Sequence, residues 1–422
     1  MDKQQEFLLY SKFLCELKAY YYKQKSISCV NQDIRYFLES QQARLNKYNL
    51  TLRLDYESEG NVYNANMVAN TIPVVNQFEC MTKFNESIYY QRQNIHKRYF
   101  FNNKLIYSKN AYITLYETII SADEQDQHLQ NSTYCCPNCG AISTLKTLQQ
   151  EGCPYCKTSY LMSDLYPKIT NFYMINDGSV SNQQLGFHKR FIAISVIVLS
   201  LIQNIYYVLH DSEGIYFVLV TFFIGAGIWA FLLYLLTSFW YLIRLLKQGK
   251  QSLTILHGSK GTKKRITKQL TPLDPNFDYE YFEGKVVSLL RMVMFAKQPD
   301  TLVQFQGAQL DHFDNVLDIA YHGGFGITSL YIKDEYVYLV LNVYITETRF
   351  ENGNIKESDE VIELSMQHYC NHLVNREFSI LKVNCPHCGA SFDARKHHHC
   401  PYCKEEYDVG SEDWMVTKVV RK

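Results

Sequence analysis

The longest apolar stretch of the sequence decides the predicted fold. It reads FIAISVIVLSLIQNIYYVL over 191–209 and, after a short polar connection, IYFVLVTFFIGAGIWAFLLYLLTSFWYLIRLL over 215–246. The only charged residue in either segment is Arg244. A helix needs about 20 apolar residues to cross a bilayer, because lipid offers its backbone no hydrogen-bonding partners. The sequence therefore predicts a two-helix transmembrane hairpin over 188–247. A buried helical pair is the alternative, although such helices normally show a polar stripe.

Basic residues flank both ends of this predicted hairpin, whereas its turn carries Asp211 and Glu213. Lys and Arg accumulate on the cytoplasmic side of membrane spans. We therefore expect a cell-membrane protein with two spans, both termini cytoplasmic, and the lipid bilayer as a partner. The flanking basic residues are Lys189, Arg190, Lys247, Lys250, Lys260, Lys263, Lys264, Arg265 and Lys268.

Composition limits the partners and indicates a use for the cysteines. Lys and Arg total 42 and Asp and Glu total 42, so zero net charge gives no general argument for nucleic acid or another acidic partner. The N-terminus does not resemble a signal peptide, because charges are scattered through it. With both termini in the cytoplasm, the 13 cysteines should be reduced thiols. Clustered cysteines are then expected to bind metal rather than to form disulfides.

Four Cys-x-x-Cys pairs form two matched sets that predict zinc ribbons over 133–160 and 383–408. In each set Cys-Pro-x-Cys-Gly is followed by Cys-Pro-Tyr-Cys, so the module is duplicated. A tight turn presents two thiolates, and two turns supply the four sulfurs of a tetrahedral Zn²⁺ site. The predicted ligands are Cys136, Cys139, Cys153, Cys156, Cys385, Cys388, Cys400 and Cys403.

Both Zn²⁺ sites are predicted to be structural, because four thiolates leave no open coordination position for catalysis. A redox dithiol is the alternative, but it normally has a single Cys-x-x-Cys beside a βαβ unit. His397, His398 or His399 could replace one cysteine ligand of the second site. Cys135 is interpreted as a bystander of the first site.

The arms on either side of the hairpin are each predicted to be an α+β domain. The N-terminal domain, 1–130, begins with helical spacing and continues with alternating strands that turn at Asn102-Asn103. A basic linker, 248–272, leads to the C-terminal domain, 273–380, and a tail, 409–422, ends the chain. The sequence leaves open whether one domain is a diverged copy of the other.

The C-terminal domain is expected to place helices before a curved antiparallel sheet. Asp274 as N-cap with Pro275 at the first helical position predicts the start of its first helix. A second helix is predicted from about Asp300 to 317, and strands are predicted at 324–333 and 336–345. A hairpin at 351–354 then returns the chain as a further strand.

This domain resembles the C-terminal domain of mitochondrial inner-membrane translocase subunit forty-four and its bacterial relatives. The similar features are the Asp-Pro-x-Phe helix start at 274–277, the long strand 336–345 and the Asn-Gly hairpin at 352–353. The resemblance implies a nuclear-transport-factor-two-like α+β cone with a deep apolar pocket. It also implies membrane association and protein binding rather than catalysis, as in zinc-ribbon membrane proteins of Gram-positive bacteria.

The predicted function is a membrane-anchored scaffold, not an enzyme, that binds a protein or an apolar ligand such as lipid in the cone. An enzyme using Asp311, His312 or Asp314 in the pocket is one alternative. A nucleic-acid- or ribosome-associated module is another, but it ranks lower because the ribbons carry few basic residues. The small residues at 225–227 could pack helices within the hairpin or between protomers of a homo-oligomer.

Overall fold

A computed structural model divides the chain into two compact units. The first comprises Met1–Asp177 and Gly258–Lys422, and the second is Gly178–His257. The residues that the structure describes are 3–23, 25–64, 84–122, 133–136, 141–157, 168–176, 194–199, 201–202, 205, 224–225, 227–236, 239, 261–275, 277–302, 304–370, 373, 382–385, 387–393, 397, 399–406 and 413–422.

Two long helices of the first unit, Gln32–Lys47 (α2) and Tyr279–Phe295 (α5), begin where a side chain satisfies a free backbone N–H group. Asn31 Oδ1 accepts from Ile34 N at the start of α2, and Asp278 Oδ1 accepts from Tyr281 N at the start of α5. The described helices are α1 (Lys3–Lys23), α2 (Gln32–Lys47), α3 (Leu145–Gln150), α4 (Thr262–Leu270), α5 (Tyr279–Phe295) and a 3-10 turn (Pro299–Thr301).

Strands dominate the rest of this unit and form a nine-stranded mixed sheet with the order β1-β2-β3-β6-β8-β9-β10-β13-β7. Two further pairs, β4-β5 and β11-β12, belong to the cysteine-rich segments. The described strands are β1 (Leu50–Asn64), β2 (Phe84–Phe101), β3 (Lys104–Ala122), β4 (Thr133–Cys135), β5 (Ile142–Thr144), β6 (Lys168–Asn176), β7 (Phe305–Leu310), β8 (Val316–Lys333), β9 (Tyr336–Glu351), β10 (Asn354–Tyr369), β11 (Lys382–Asn384), β12 (Ser391–Asp393) and β13 (Met415–Arg421).

The two halves of this sheet repeat one plan. Each half has two helices, a three-stranded antiparallel meander, a cysteine-rich segment and a closing strand, and the second half adds the 3-10 turn and β7 between its helices and its meander. The closing strand pairs antiparallel with the last strand of its meander, β6 with β3 and β13 with β10. Both pairings shift register, at Thr118/Ile119 and at Ser365/Met366. The two halves therefore share the order of their common elements, whereas the question of whether one is a diverged copy of the other stays open.

Turn residues fix the matching hairpins of the two meanders. Asn102 and Asn103 join β2 to β3 with φ of 47° and 64°, and Asn352 and Gly353 join β9 to β10 with φ of 51° and 78°. Two consecutive positive φ angles give the turn whose twist matches that of the flanking strands. Both hairpins predicted from these residues are confirmed.

The halves share one core because β6 pairs parallel with β8, where Ile175 lies opposite Tyr321. Helices α2 and α5 pack together on the sheet, and Phe37 contacts Phe295 edge to face at 5.3 Å. Buried Arg44 of α2 ties the halves further, since its guanidinium donates to the carbonyls of Phe313, Val316 and Met294. The sheet and its helices therefore form a single hydrophobic core.

This arrangement corrects the predicted fold class of separate α+β arms. The 273–380 segment does not close as an isolated cone, because β8–β10 continue through β6 into the strands of the N-terminal half. The sequence pattern missed this join because a parallel pair between residues far apart in the chain leaves no local signal. Likewise, the predicted tail 409–422 contains β13, which returns the chain from the cysteine-rich segment to the sheet.

Two local predictions in the C-terminal half are also wrong. Helix α5 begins at Tyr279, after Asp278, rather than at Pro275. The helix expected from Asp300 is a 3-10 turn followed by β7 and the start of β8. Its apolar residues match helical spacing and short strands equally well, an ambiguity that periodicity alone does not resolve.

The membrane prediction requires correction as well. Among the described residues, no helix combines the length and apolarity that a membrane span requires. The remaining residues of 188–247 lie outside the description. The two-helix hairpin and the cell-membrane location with cytoplasmic termini are therefore not supported, because the described residues contain no helix that could span a membrane.

Candidate metal centres and central cavity

The second cysteine cluster is built from two backbone turns of the same kind. Gly389 N donates to Cys385 O, and Lys404 N donates to Cys400 O. The residue after the second cysteine of each pair is left-handed, with φ of 68° at Gly389 and 67° at Lys404. Each turn curls its two thiols toward a common point, as the Cys-Pro-x-Cys spacing predicts.

Sulfur positions in this cluster match tetrahedral metal coordination. Cys385 Sγ lies 3.5 Å from Cys403 Sγ, and Cys388 Sγ lies 3.6 Å from Cys400 Sγ. All four sulfurs are within 4.8 Å of one another. A tetrahedron with metal–sulfur bonds of about 2.3 Å places its sulfurs about 3.8 Å apart, whereas a disulfide bond is about 2.05 Å. The cluster could therefore hold a metal ion.

Backbone amides favour a thiolate in this cluster. Desolvation acts against the charged form of Cys400, but backbone N–H groups of Cys403 and Tyr402 and the neighbouring thiols lower its pKa to about 6. In Cys403 the backbone N–H of Glu405 acts in the same direction, but desolvation and the neighbouring thiols raise the pKa to about 12, so the favoured thiolate of the set is Cys400. Thiolates rather than thiols bind metals, so this polarity suits a cation. His397 and His399 lie outside the four-sulfur set and are exposed.

The first cysteine cluster repeats this geometry in the N-terminal half. Cys136, Cys153 and Cys156 converge within 4.8 Å, and Cys136 Sγ lies 3.7 Å from Cys156 Sγ. Lys157 follows the second pair with φ of 59°, and its N–H donates to Cys153 O. The predicted fourth ligand, Cys139, lies outside the described residues. This cluster could also hold a metal ion.

A cavity of about 80 Å³ lies in the shared core, where both halves of the sheet meet the helices. Lys97, Asp318 and Glu357 line it together with Arg291 of α5. Lys97 Nζ is 2.5 Å from Asp318 Oδ2, and Lys109 pairs with Glu357. Apolar side chains form the remaining wall and include Leu17, Phe37, Leu54, Ile113, Phe172 and Met174.

Arg291 is the deeply buried cation of this cavity. Its guanidinium carbon lies 5.3 and 5.1 Å from the ring centroids of Phe37 and Phe172, which are themselves 6.4 Å apart. Nη1–H donates to Phe172 O at 2.8 Å, whereas Nε is buried without a partner among the described residues. Burial lowers the pKa of Arg291, and Asp318 opposes that shift.

Sequence reasoning missed this cavity and placed its candidate catalytic residues elsewhere. Asp311 accepts from Arg421 N at 2.7 Å, and His312 and Asp314 are exposed, so none of the three lines the cavity. A usable signal was present: Arg291 interrupts the apolar helix VVSLLRMVMF, and Lys97 occupies an inward position between Ile95 and Tyr99.

A second, open concavity of about 770 Å³ lies between strand β7 and the second cysteine cluster. Phe305, Gln306 and Gly307 line one side, while His397 and Lys404 are among the residues on the other. We call this concavity the ribbon groove. Strand β7 is the last strand of the sheet, so one edge of its backbone is not paired within the sheet.

Comparison with known proteins found no matching family model, no matching curated protein and no matching solved structure. The resemblance to the translocase-subunit family therefore stays a prediction.

Proposed function

We propose that this protein is a zinc-dependent protein-binding scaffold, with structural Zn²⁺ at both cysteine clusters. The observation that carries the zinc assignment is the convergence of four sulfurs from Cys385, Cys388, Cys400 and Cys403 within 4.8 Å. A complete sulfur set suits Zn²⁺ and provides no coordination position for a substrate. When bound, Zn²⁺ cross-links the two Cys-x-x-Cys turns of a ribbon. The short strands β11 and β12 do not provide such a link.

Each metal would stabilise more than its own ribbon. The second cluster lies in the chain between β10 and β13, and the first lies between β3 and β6. A metal that fixes the ribbon also limits the freedom of the closing strand that follows it. Binding energy at the metal is therefore coupled to strand pairing in the sheet.

Zinc content of the purified full-length chain tests this assignment. We expect two Zn²⁺ per chain by elemental analysis, and one in each of the variants Cys153→Ser and Cys388→Ser. Cys15→Ser is the matched control, because Cys15 is exposed and belongs to neither cluster. A metal-free wild-type protein, or variants that keep both ions, would refute the assignment.

The ribbon groove is the proposed docking site for an extended peptide. The free edge of β7 offers backbone donors and acceptors, which favours addition of a strand. Exposed Lys404 and Glu406 on the ribbon side provide both signs of charge next to that edge. The partner expected here is thus a peptide segment bound mainly through its main chain.

Photo-crosslinking in the intact protein tests this docking site. A photoreactive residue at Gln306, which is exposed in the groove, should capture a partner, and the same capture should fail in the Cys388→Ser background. The control position is exposed Lys333, at the end of β8. Equal capture from Lys333, or no capture from Gln306, would contradict the docking site.

A further inference from the structure

The central cavity contains a cation whose hydrogen-bonding capacity is only partly used. Arg291 is 4% exposed. Its guanidinium donates one hydrogen bond to the described residues, from Nη1 to Phe172 O. Its buried Nε has no partner among the described residues. A buried donor without a partner is costly, and in native proteins it commonly marks a site for a ligand or an ordered water.

Charges around the cavity leave a positive excess. Lys97 is paired with Asp318, and Lys109 is paired with Glu357. Asp318 also attracts Arg291, but it accepts from Gln41 Nε2 and Lys97 at the same time. Three cations thus face two carboxylates in the cavity wall. An anion would balance the remaining charge.

The guanidinium N–H groups of Arg291 that have no partner among the described residues suit a carboxylate. Nη2 has no hydrogen bond to the described residues and, unlike Nε, is not fully buried, so it is the guanidinium nitrogen that can donate a charge-assisted hydrogen bond to a carboxylate. Contacts with the adjacent rings of Phe37 and Phe172 restrict the guanidinium, so little rotational freedom is lost on binding. The same rings exclude bulk water, which strengthens a charge-assisted hydrogen bond.

The apolar walls and the volume limit the rest of the ligand. Leu17, Leu54, Ile113 and Met174 contribute apolar surface beside the charged groups. The volume of about 80 Å³ is smaller than an engineered cavity of about 150 Å³ that binds benzene. A ligand with about five non-hydrogen atoms is therefore the size that the cavity suits.

We propose that the central cavity binds a small monocarboxylate with a short apolar tail. Its carboxylate accepts hydrogen bonds from Nη2 of Arg291, and its tail packs against the apolar wall. Side-chain exposure decreases from 42% at Lys109 through 16% at Lys97 to buried Arg291. This graded set of cations leads an anion from the protein surface to the bottom of the cavity.

Calorimetric titration of the zinc-loaded, full-length protein tests this site independently of the scaffold proposal. Propionate is the probe, and propionamide is its neutral analogue of the same size. We expect saturable binding of one propionate per chain and at least tenfold weaker binding of propionamide. Absence of saturable propionate binding up to tens of millimolar, or equal binding of propionamide, would overturn the proposal.

Two variants locate the binding within the cavity. Arg291→Met removes the guanidinium, and Ala111→Leu fills the cavity while leaving Arg291 in place. Each should weaken propionate binding at least tenfold, whereas Arg265→Met, at an exposed position of α4, should bind like the wild type. If Arg291→Met does not fold, Ala111→Leu decides the outcome. Undiminished binding by a folded cavity variant would overturn the site.

Discussion

The two halves of the sheet follow the same plan but fill equivalent core positions with different chemistry. Glu117 in β3 and Leu364 in β10 each lie one residue before the register shift of their closing-strand pair. Both are fully buried, yet one is a carboxyl group and the other an aliphatic side chain. Shared topology therefore does not require shared core composition, provided the meander and its closing strand still pair.

The closing strands are anchored differently as well. Strand β13 follows Trp414, which is buried against Phe282 and donates from Nε1 to Leu373 O at 3.0 Å. Strand β6 instead exchanges backbone hydrogen bonds through Ile169 with the segment between α1 and α2. One anchor is a large side chain, and the other is main chain. These differences can be tested half by half.

Loss of a bound metal should give the largest decrease in the free energy of unfolding. The decrease should differ between the two ribbons. Bound Zn²⁺ stabilises a fold by about 4 kcal/mol at a thousandfold excess over its dissociation constant. Strand β6 also joins the halves through β8, so Cys153→Ser should lower the free energy of unfolding more than Cys400→Ser. Urea unfolding at controlled free zinc measures both. Equal losses would mean that the ribbons contribute independently of the sheet join.

Removal of the aromatic anchor should give the next largest effect. Trp414→Ala should lower the free energy of unfolding by about 3 kcal/mol, because a large buried ring and its hydrogen bond are lost. Its control in the other half is Lys168→Ala, at the partly exposed start of β6, where a surface hydrogen bond to Ser28 O is lost and the expected change is below about 1 kcal/mol. Denaturant titration compares them. A minor loss for Trp414→Ala would refute the side-chain anchor.

Replacement of buried Glu117 by leucine, the residue type at the equivalent position Leu364, should stabilise the protein. Glu117 has no hydrogen-bond partner among the described residues, so Glu117→Leu should raise the free energy of unfolding by about 1–2 kcal/mol at neutral pH. Desolvation raises the pKa of Glu117 well above its ordinary value of 4.5.

This shift also predicts a pH dependence. The folded protein retains a proton that the unfolded chain releases above pH 4.5, so the Glu117 contribution to stability is full below that pH and falls as pH rises. The stability advantage of Glu117→Leu should therefore grow with pH above 4.5. A constant difference between variant and wild type across that range would contradict the shift.

The matching hairpins should give the smallest effect. Gly353 has φ of 78° and open space around its missing side chain, so Gly353→Ala should cost about 1 kcal/mol through backbone strain alone. Asn103→Gly, at the equivalent turn of the other half, should be neutral or slightly stabilising. Thermal unfolding measures both changes. A harmless Gly353→Ala would show that the turn tolerates a side chain.

Local features were predictable from the sequence because they depend on neighbouring residues. The Cys-Pro-x-Cys spacing indicated the converging sulfurs, and Asn-Asn and Asn-Gly indicated the hairpins. Helix capping was predicted in kind but misplaced, since Asp274 and Asp278 are both good N-cap residues and only Asp278 is used.

Features that depend on distant residues were not predictable in this way. The β6–β8 join and the cavity around Arg291 bring together side chains from both halves of the chain. Hydropathy over 191–246 also did not yield the expected long helices among the described residues. For the join and the cavity, the sequence pattern gave the local composition, whereas contacts between distant residues decided the outcome.

The parallel join between β6 and β8 has a consequence for synthesis of the chain. Strand β6 ends at Asn176, and its neighbour β8 begins only at Val316. At about 5–20 residues per second, ribosomes need roughly ten seconds or more to add the intervening segment. Throughout that interval the nascent N-terminal half presents an open strand edge. Nascent chains on one messenger RNA are thereby given an opportunity to exchange strands, a hazard that increases with ribosome density.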